Sequence, residues 1–174
     1  MLFSTLATIA ISALGFASAS PIQKRYSAAK IQSARDDLCL APFSAWQNGT
    51  TVGTTGCDNA ATWDINPGSG SIILHGTTWA LQAQGGGNTN NAAVVLWKSQ
   101  PGLFAQTWYL TGDNRIAITN GVQCLDEGTN GPQTYQCTTG NTNQIWTIIP
   151  ASGTPPPNHT VGRVAERAPE PTAA

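Results

Sequence analysis

From Leu38 onward the apolar residues do not recur at helical spacing. They come instead in short runs, Ser71-Ile72-Ile73-Leu74, Val94-Val95-Leu96-Trp97, Thr107-Trp108-Tyr109-Leu110 and Ile116-Ala117-Ile118, separated by Gly, Asn, Thr and Pro. Short β-prone runs at regular spacing with turn residues between them predict an all-β sandwich or barrel. The preceding stretch Tyr26 to Arg35 has only Tyr26 and Ile31 as large apolar residues. It reads as a loose or helical lead-in. Beyond Pro150 the chain carries Pro155-Pro156-Pro157, Pro169 and Pro171 with few apolar side chains. Such a segment buries too little surface to offset its ordering entropy, so 150–174 is expected to be a disordered Pro-rich tail.

An internal repeat decides between sandwich and barrel. Trp63, Trp108 and Trp146 are spaced by 45 and 38 residues, and each opens a strand-like pair or triplet. Gln106 and Gln144 stand two residues before the second and third tryptophans, and Ala61 takes that place before the first. One such unit cannot cover its own apolar face. Three packed about a pseudo-threefold axis give a closed barrel capped by hairpins, the β-trefoil. The domain organisation expected is a leader over 1–19, a pro-segment and lead-in over 20–35, the trefoil over 36–149 and the tail over 150–174.

Leader and charge narrow the setting. Leu2 to Phe16 is apolar and ends in Ala17-Ser18-Ala19, the pattern of a secretory signal peptide cut after Ala19. The dibasic pair Lys24-Arg25 suits a processing site that would leave Tyr26 first. A secreted, extracellular protein follows, in which Asn48-Gly49-Thr50 and Asn158-His159-Thr160 are N-glycosylation acceptors at Asn48 and Asn158. Between Asp36 and Ile149 seven acidic residues face only Lys98 and Arg115, a net charge of −5. That balance disfavours nucleic acid and anionic membranes as partners and leaves a neutral ligand. Four cysteines imply two disulfides, for which the residues alone allow three pairings.

The most informative stretch runs from Cys124-Leu125-Asp126 past Tyr135 and Cys137 to Asn143-Gln144-Ile145-Trp146. A carboxylate that accepts from hydroxyls, an aromatic face for C–H groups and an amide that does both suit a sugar. The stretch resembles the third repeat of a ricin B-type lectin, a β-trefoil whose repeats close on Gln-x-Trp. That resemblance implies a carbohydrate-binding function, with glycans or glycoproteins as partners and galactose or N-acetylgalactosamine as the sugar type. It implies Asp126, Tyr135, Asn143 and Gln144 as binding residues, and disulfides Cys39–Cys57 and Cys124–Cys137. At the matching offsets the middle repeat has Gln82, Trp97 and Ala105, a weaker second site without charge, and Ala80 and Ser99 where cysteines would stand. The first repeat has Ala41, Thr55 and Ala60, which offer neither acceptor, ring nor amide.

Catalysis finds little support. No Ser/His/Asp trio has a motif around it, and Asp126 and Glu127, being adjacent, would point to opposite faces of a strand. No metal-ligand spacing and no cofactor motif stand out. Two other readings compete: a β-trefoil protease inhibitor, or another secreted effector without sugar binding, whose function lies in a loop, and an accessory module of an enzyme standing alone.

Overall fold

The computed structural model describes residues 25–151. The leader, Lys24 of the dibasic pair, and the tail with Asn158 lie outside them. Twelve strands form in four-strand repeats. The first repeat holds β1 (Tyr26–Ser33), β2 (Cys39–Pro42), β3 (Thr50–Thr55) and β4 (Trp63–Ile65). The second holds β5 (Ile73–Leu74), β6 (Trp79–Ala83), β7 (Ala92–Lys98) and β8 (Trp108–Leu110). The third holds β9 (Ile116–Ile118), β10 (Gln123–Gly128), β11 (Gly131–Gln136) and β12 (Trp146–Ile149).

The outer strands of each repeat close into a ring. β1 pairs with β4, β4 with β5 and β8 with β9, and β12 returns to β1 with Lys30 opposite Ile149 and Ser33 opposite Trp146. The two remaining joints are made by a Gly70–Trp108 bridge and by Trp146 N–H donating to the Asn114 carbonyl, 2.8 Å. The inner strands make the hairpins β2–β3, β6–β7 and β10–β11, and β7 joins all three by pairing with β3 and β11. This is a β-trefoil.

The repeat tryptophans hold barrel and cap together. Trp63, Trp108 and Trp146 are at most 1% exposed. Each indole N–H donates to the carbonyl of a leucine in the hairpin of its own repeat: Leu40 at 3.2 Å, Leu81 at 3.0 Å and Leu125 at 2.9 Å. Those leucines, with Ile31, Ile65, Ile72, Leu96, Ile116 and Ile118, fill one continuous core. A buried indole needs a partner for its single donor, so the same carbonyl three times over fixes each hairpin on the barrel at the same height.

Tyr26 to Ser33 corrects the expectation of a lead-in. It is a barrel strand that pairs with β2, β4 and β12, so the barrel begins before Asp36. Its inward positions Tyr26, Ala29, Ile31 and Ser33 are small or polar in two cases out of four. Its register shifts between Tyr26 and Ala29, where Ala28 takes φ 52°. A bulge of this kind breaks the alternation on which strand recognition depends.

Disulfides join Cys39 to Cys57 and Cys124 to Cys137, each within one repeat. By loop-closure entropy each contributes on the order of 3 kcal/mol.

Candidate functional site

The β10–β11 hairpin sorts its residues by strand alternation. Asp126 lies opposite Gln133 and Cys124 opposite Tyr135, so these four share one face. Leu125, Thr134 and Glu127 share the other and are buried against the molecule. Thr129 and Asn130 turn the chain, and Gly131 with φ 101° takes the conformation that β-carbons resist. A short 3₁₀ turn at Thr142–Gln144 then brings Asn141 and Asn143 up to Asp126.

The result is a cleft of ≈ 360 Å³ lined by Arg35, Asp126, Gly128, Thr129, Gln133, Tyr135, Asn141 and Asn143. Asp126 is 4% exposed and forms its floor. Its Oδ2 accepts from Asn141 Nδ2 at 3.0 Å and its Oδ1 from Gln133 Nε2 at 3.4 Å. A carboxylate has about four acceptor positions, so these bonds aim the group and leave capacity for a ligand. Asn141 is itself oriented by accepting from the Asn143 N–H, 3.1 Å. Tyr135 stands at the rim, 37% exposed, with its ring available for stacking.

Of the residues expected from sequence, Asp126, Tyr135 and Asn143 come together here. Gln144 does not. It is fully buried, its Oε1 accepting from the Thr138 N–H at 2.9 Å and its Nε2 donating to the Gln136 carbonyl at 2.9 Å. Gln106 does the corresponding work in the middle repeat, between the Gln100 N–H and the Lys98 carbonyl. In the second and third repeats the Gln of Gln-x-Trp therefore pins the end of the hairpin, buried out of reach of a ligand. Asn141 and Arg35 were missed. Asn141 carried a signal, because an Asn two residues before the turn's Asn is a turn cap. Arg35 comes from another repeat and carried none.

The middle repeat repeats the geometry with a neutral amide in place of the carboxylate. Trp97 lies opposite Ala80, and Gln82 opposite Val95, so Gln82 and Trp97 share a face as Asp126 and Tyr135 do. The Gln82 Oε1 already accepts from Gln106 Nε2, 2.8 Å. Val95 stands where the third repeat has Gln133. Trp97 is half-buried beside the turn of the first repeat, where Gly49 N–H donates to the Leu96 carbonyl and Asn48 Oδ1 accepts from the Lys98 N–H at 2.9 Å. In the first repeat Ala41 is buried and Ala60 leaves no amide.

Among the described residues no group of three or more His, Cys, Asp or Glu could hold a metal ion, and no helix is long and apolar enough to cross a membrane.

Residues 27–146 and, overlapping them, 81–167 match the model of the ricin-type beta-trefoil lectin domain. No curated protein sequence matches the chain. Solved structures share the fold at low identity. The designed threefold-symmetric protein ThreeFoil has a TM-score of 0.61 at 18% identity, over 71% of this chain and 98% of that one. The lectin of Polyporus squamosus, bound to Neu5Acα2-6Galβ1-4GlcNAc, has a TM-score of 0.59 at 18% identity, over 71% of this chain and 48% of its own. The C-half of the earthworm R-type lectin, in complex with GalNAc, has a TM-score of 0.55 at 18% identity, over 71% and 98%.

Proposed function

Since the chain belongs to the ricin-type beta-trefoil lectin family, we propose that it is a secreted carbohydrate-binding protein whose working site is the Asp126 cleft of the third repeat. The observation that carries this reading is the convergence of Asp126, Tyr135, Asn141 and Asn143 on one open cleft. A nearly buried carboxylate, already aimed by two amides, accepts strongly from a pair of neighbouring hydroxyls. The Tyr135 ring takes the apolar face of the sugar, and Asn143 supplies a further donor and acceptor. Galactose or N-acetylgalactosamine is the sugar class we assign, in keeping with the family and with the GalNAc bound by the earthworm C-half. One shallow site of this kind binds at about millimolar Kd, near −4 kcal/mol, so strong retention on a cell or mucin surface requires several copies or many sugars.

The test is calorimetry of galactose and N-acetylgalactosamine against the wild type and three variants. Asp126→Asn removes the charged acceptor while keeping the shape, and is expected to weaken binding tenfold or more, about 1.5–3 kcal/mol. Tyr135→Ala should weaken it comparably, and Trp97→Ala should leave it unchanged. Binding that survives in Asp126→Asn but disappears in Trp97→Ala would place the site in the middle repeat instead.

A further inference from the structure

The other side of the same hairpin holds a second cleft. It has a volume of ≈ 470 Å³ and is lined by residues that include Phe43, Gly53, Thr54 and Glu127, between the β2–β3 hairpin and the β10–β11 tip. Arg35, Gly128 and Thr129 line it and also line the Asp126 cleft, so the two meet across the tip of one hairpin.

Three features show that this cleft is built. Phe43 is 64% exposed, yet its ring is seated: a β-carbon at Gly53 would fall inside it, so the glycine across the hairpin makes its place. In the third repeat the arrangement is mirrored, with a glycine at Gly128 making room for the Gln133 side chain. Glu127 is 3% exposed, and its Oε1 accepts from Thr54 Oγ1 at 3.1 Å. Its Oε2 has no partner, an uncommon condition for a buried acceptor. Arg35 Nη1 donates to the Glu127 carbonyl at 2.6 Å, which holds the guanidinium over the passage between the clefts.

We propose that the two clefts form one elongated surface, and that Phe43, Thr129 and Asn130 make a subsite for the following residues of a neutral oligosaccharide whose terminal sugar sits on Asp126. The inference rests on the lectin reading above. Phe43 supplies the stacking face and the exposed Thr129 and Asn130 at the hairpin tip supply hydrogen-bonding groups. Neutrality follows from the charges that face the passage, where Asp36 and Asp126 outnumber Arg35 and repel a sialic acid carboxylate. Burial, with the nearby Asp36 and Asp126 adding to it, pushes the Glu127 carboxyl up to about 7 against the pull of Thr54 and Arg35. At neutral pH part of it is thus the acid, which donates as well as accepts.

The test uses the full secreted chain with three probes: galactose, a neutral linear tetrasaccharide ending in galactose, and that tetrasaccharide capped with α2-6 sialic acid. The neutral tetrasaccharide is expected to bind about tenfold tighter than galactose, and the capped one more weakly than the neutral one. Phe43→Ala should remove the advantage of the tetrasaccharide and leave the galactose Kd unchanged. In amide NMR titrations Gly53 and Thr54 should shift with the tetrasaccharide and stay still with galactose. If galactose binds through Asp126 but Phe43→Ala keeps the full advantage, or no advantage exists, the second cleft is not a subsite and the lectin reading stands. If neither neutral probe binds, the galactose reading itself falls and takes the subsite with it.

Discussion

Trp146→Ala should cost the domain about 3–5 kcal/mol, the range for deleting a large buried aromatic. The residue is fully buried, and truncation also strands the Leu125 carbonyl, which accepts its indole N–H at 2.9 Å. Against a typical total of roughly 5–15 kcal/mol, such a loss puts the variant near the unfolding threshold at ambient temperature. Trp146→Phe keeps most of the packing and leaves only the carbonyl unpaired, so about 1–3 kcal/mol is expected. Urea denaturation checks both, through the midpoint at constant m. The effect reaches the proposed binding face, because Leu125 precedes Asp126 in β10 and the indole bond fixes that strand. Sugar affinity in the Phe variant should therefore fall along with stability. A loss below about 1 kcal/mol for Trp146→Ala would mean that the third repeat is not clamped as the other two are.

The second large effect is tied to pH. Glu127 has its folded pKa raised from the ordinary 4.5 to about 7, chiefly by burial. Between these values the folded chain holds a proton that the unfolded chain has released. The stabilisation from this group is thus complete below about 4.5 and is lost as pH rises towards 7, above which the penalty is constant. Over that window the loss amounts to as much as roughly 3 kcal/mol. Glu127→Gln removes the titration and keeps an acceptor for Thr54. The stability difference between variant and wild type should grow from pH 4.5 to 7 in favour of the variant and then level off. Using the difference cancels the contribution of Asp64, whose pKa is lowered and which therefore acts in the opposite sense. A difference that stays flat across the window would show that Glu127 is solvated in the folded protein.

The barrel was legible because tryptophan is large and rare enough to mark a repeat, and each marker falls where the last strand of a repeat must enter the core. The Asp126, Tyr135 and Asn143 set was legible because all three lie within one repeat at fixed offsets from cysteines and tryptophan. β1 was not, since a bulge and the small inward residues Ala29 and Ser33 erase its alternation. Gln144 shows a different limit: sequence places it beside the ligand groups, but only packing tells that both ends of its amide are bonded within the fold. The Phe43–Glu127 cleft joins the first and third repeats, and no local pattern carries a contact between residues so far apart. Its one trace in the sequence is that Glu127 follows Asp126 and so faces the other way.

The chain enters the barrel along β1 and leaves along β12, two antiparallel strands with Lys30 opposite Ile149. A pull on both ends of the domain acts at the same end of that ladder, so its pairs open one after another, as a zipper does, and never share the load as they would in shear. Once they part, the repeats differ in how far they can lengthen. The Cys39–Cys57 and Cys124–Cys137 bonds lock the first and third hairpins into closed loops, while the middle repeat has no such tie. Under tension the molecule should yield length from the middle repeat, and the hairpin that carries Asp126 and Tyr135 should be among the last parts to lose its shape.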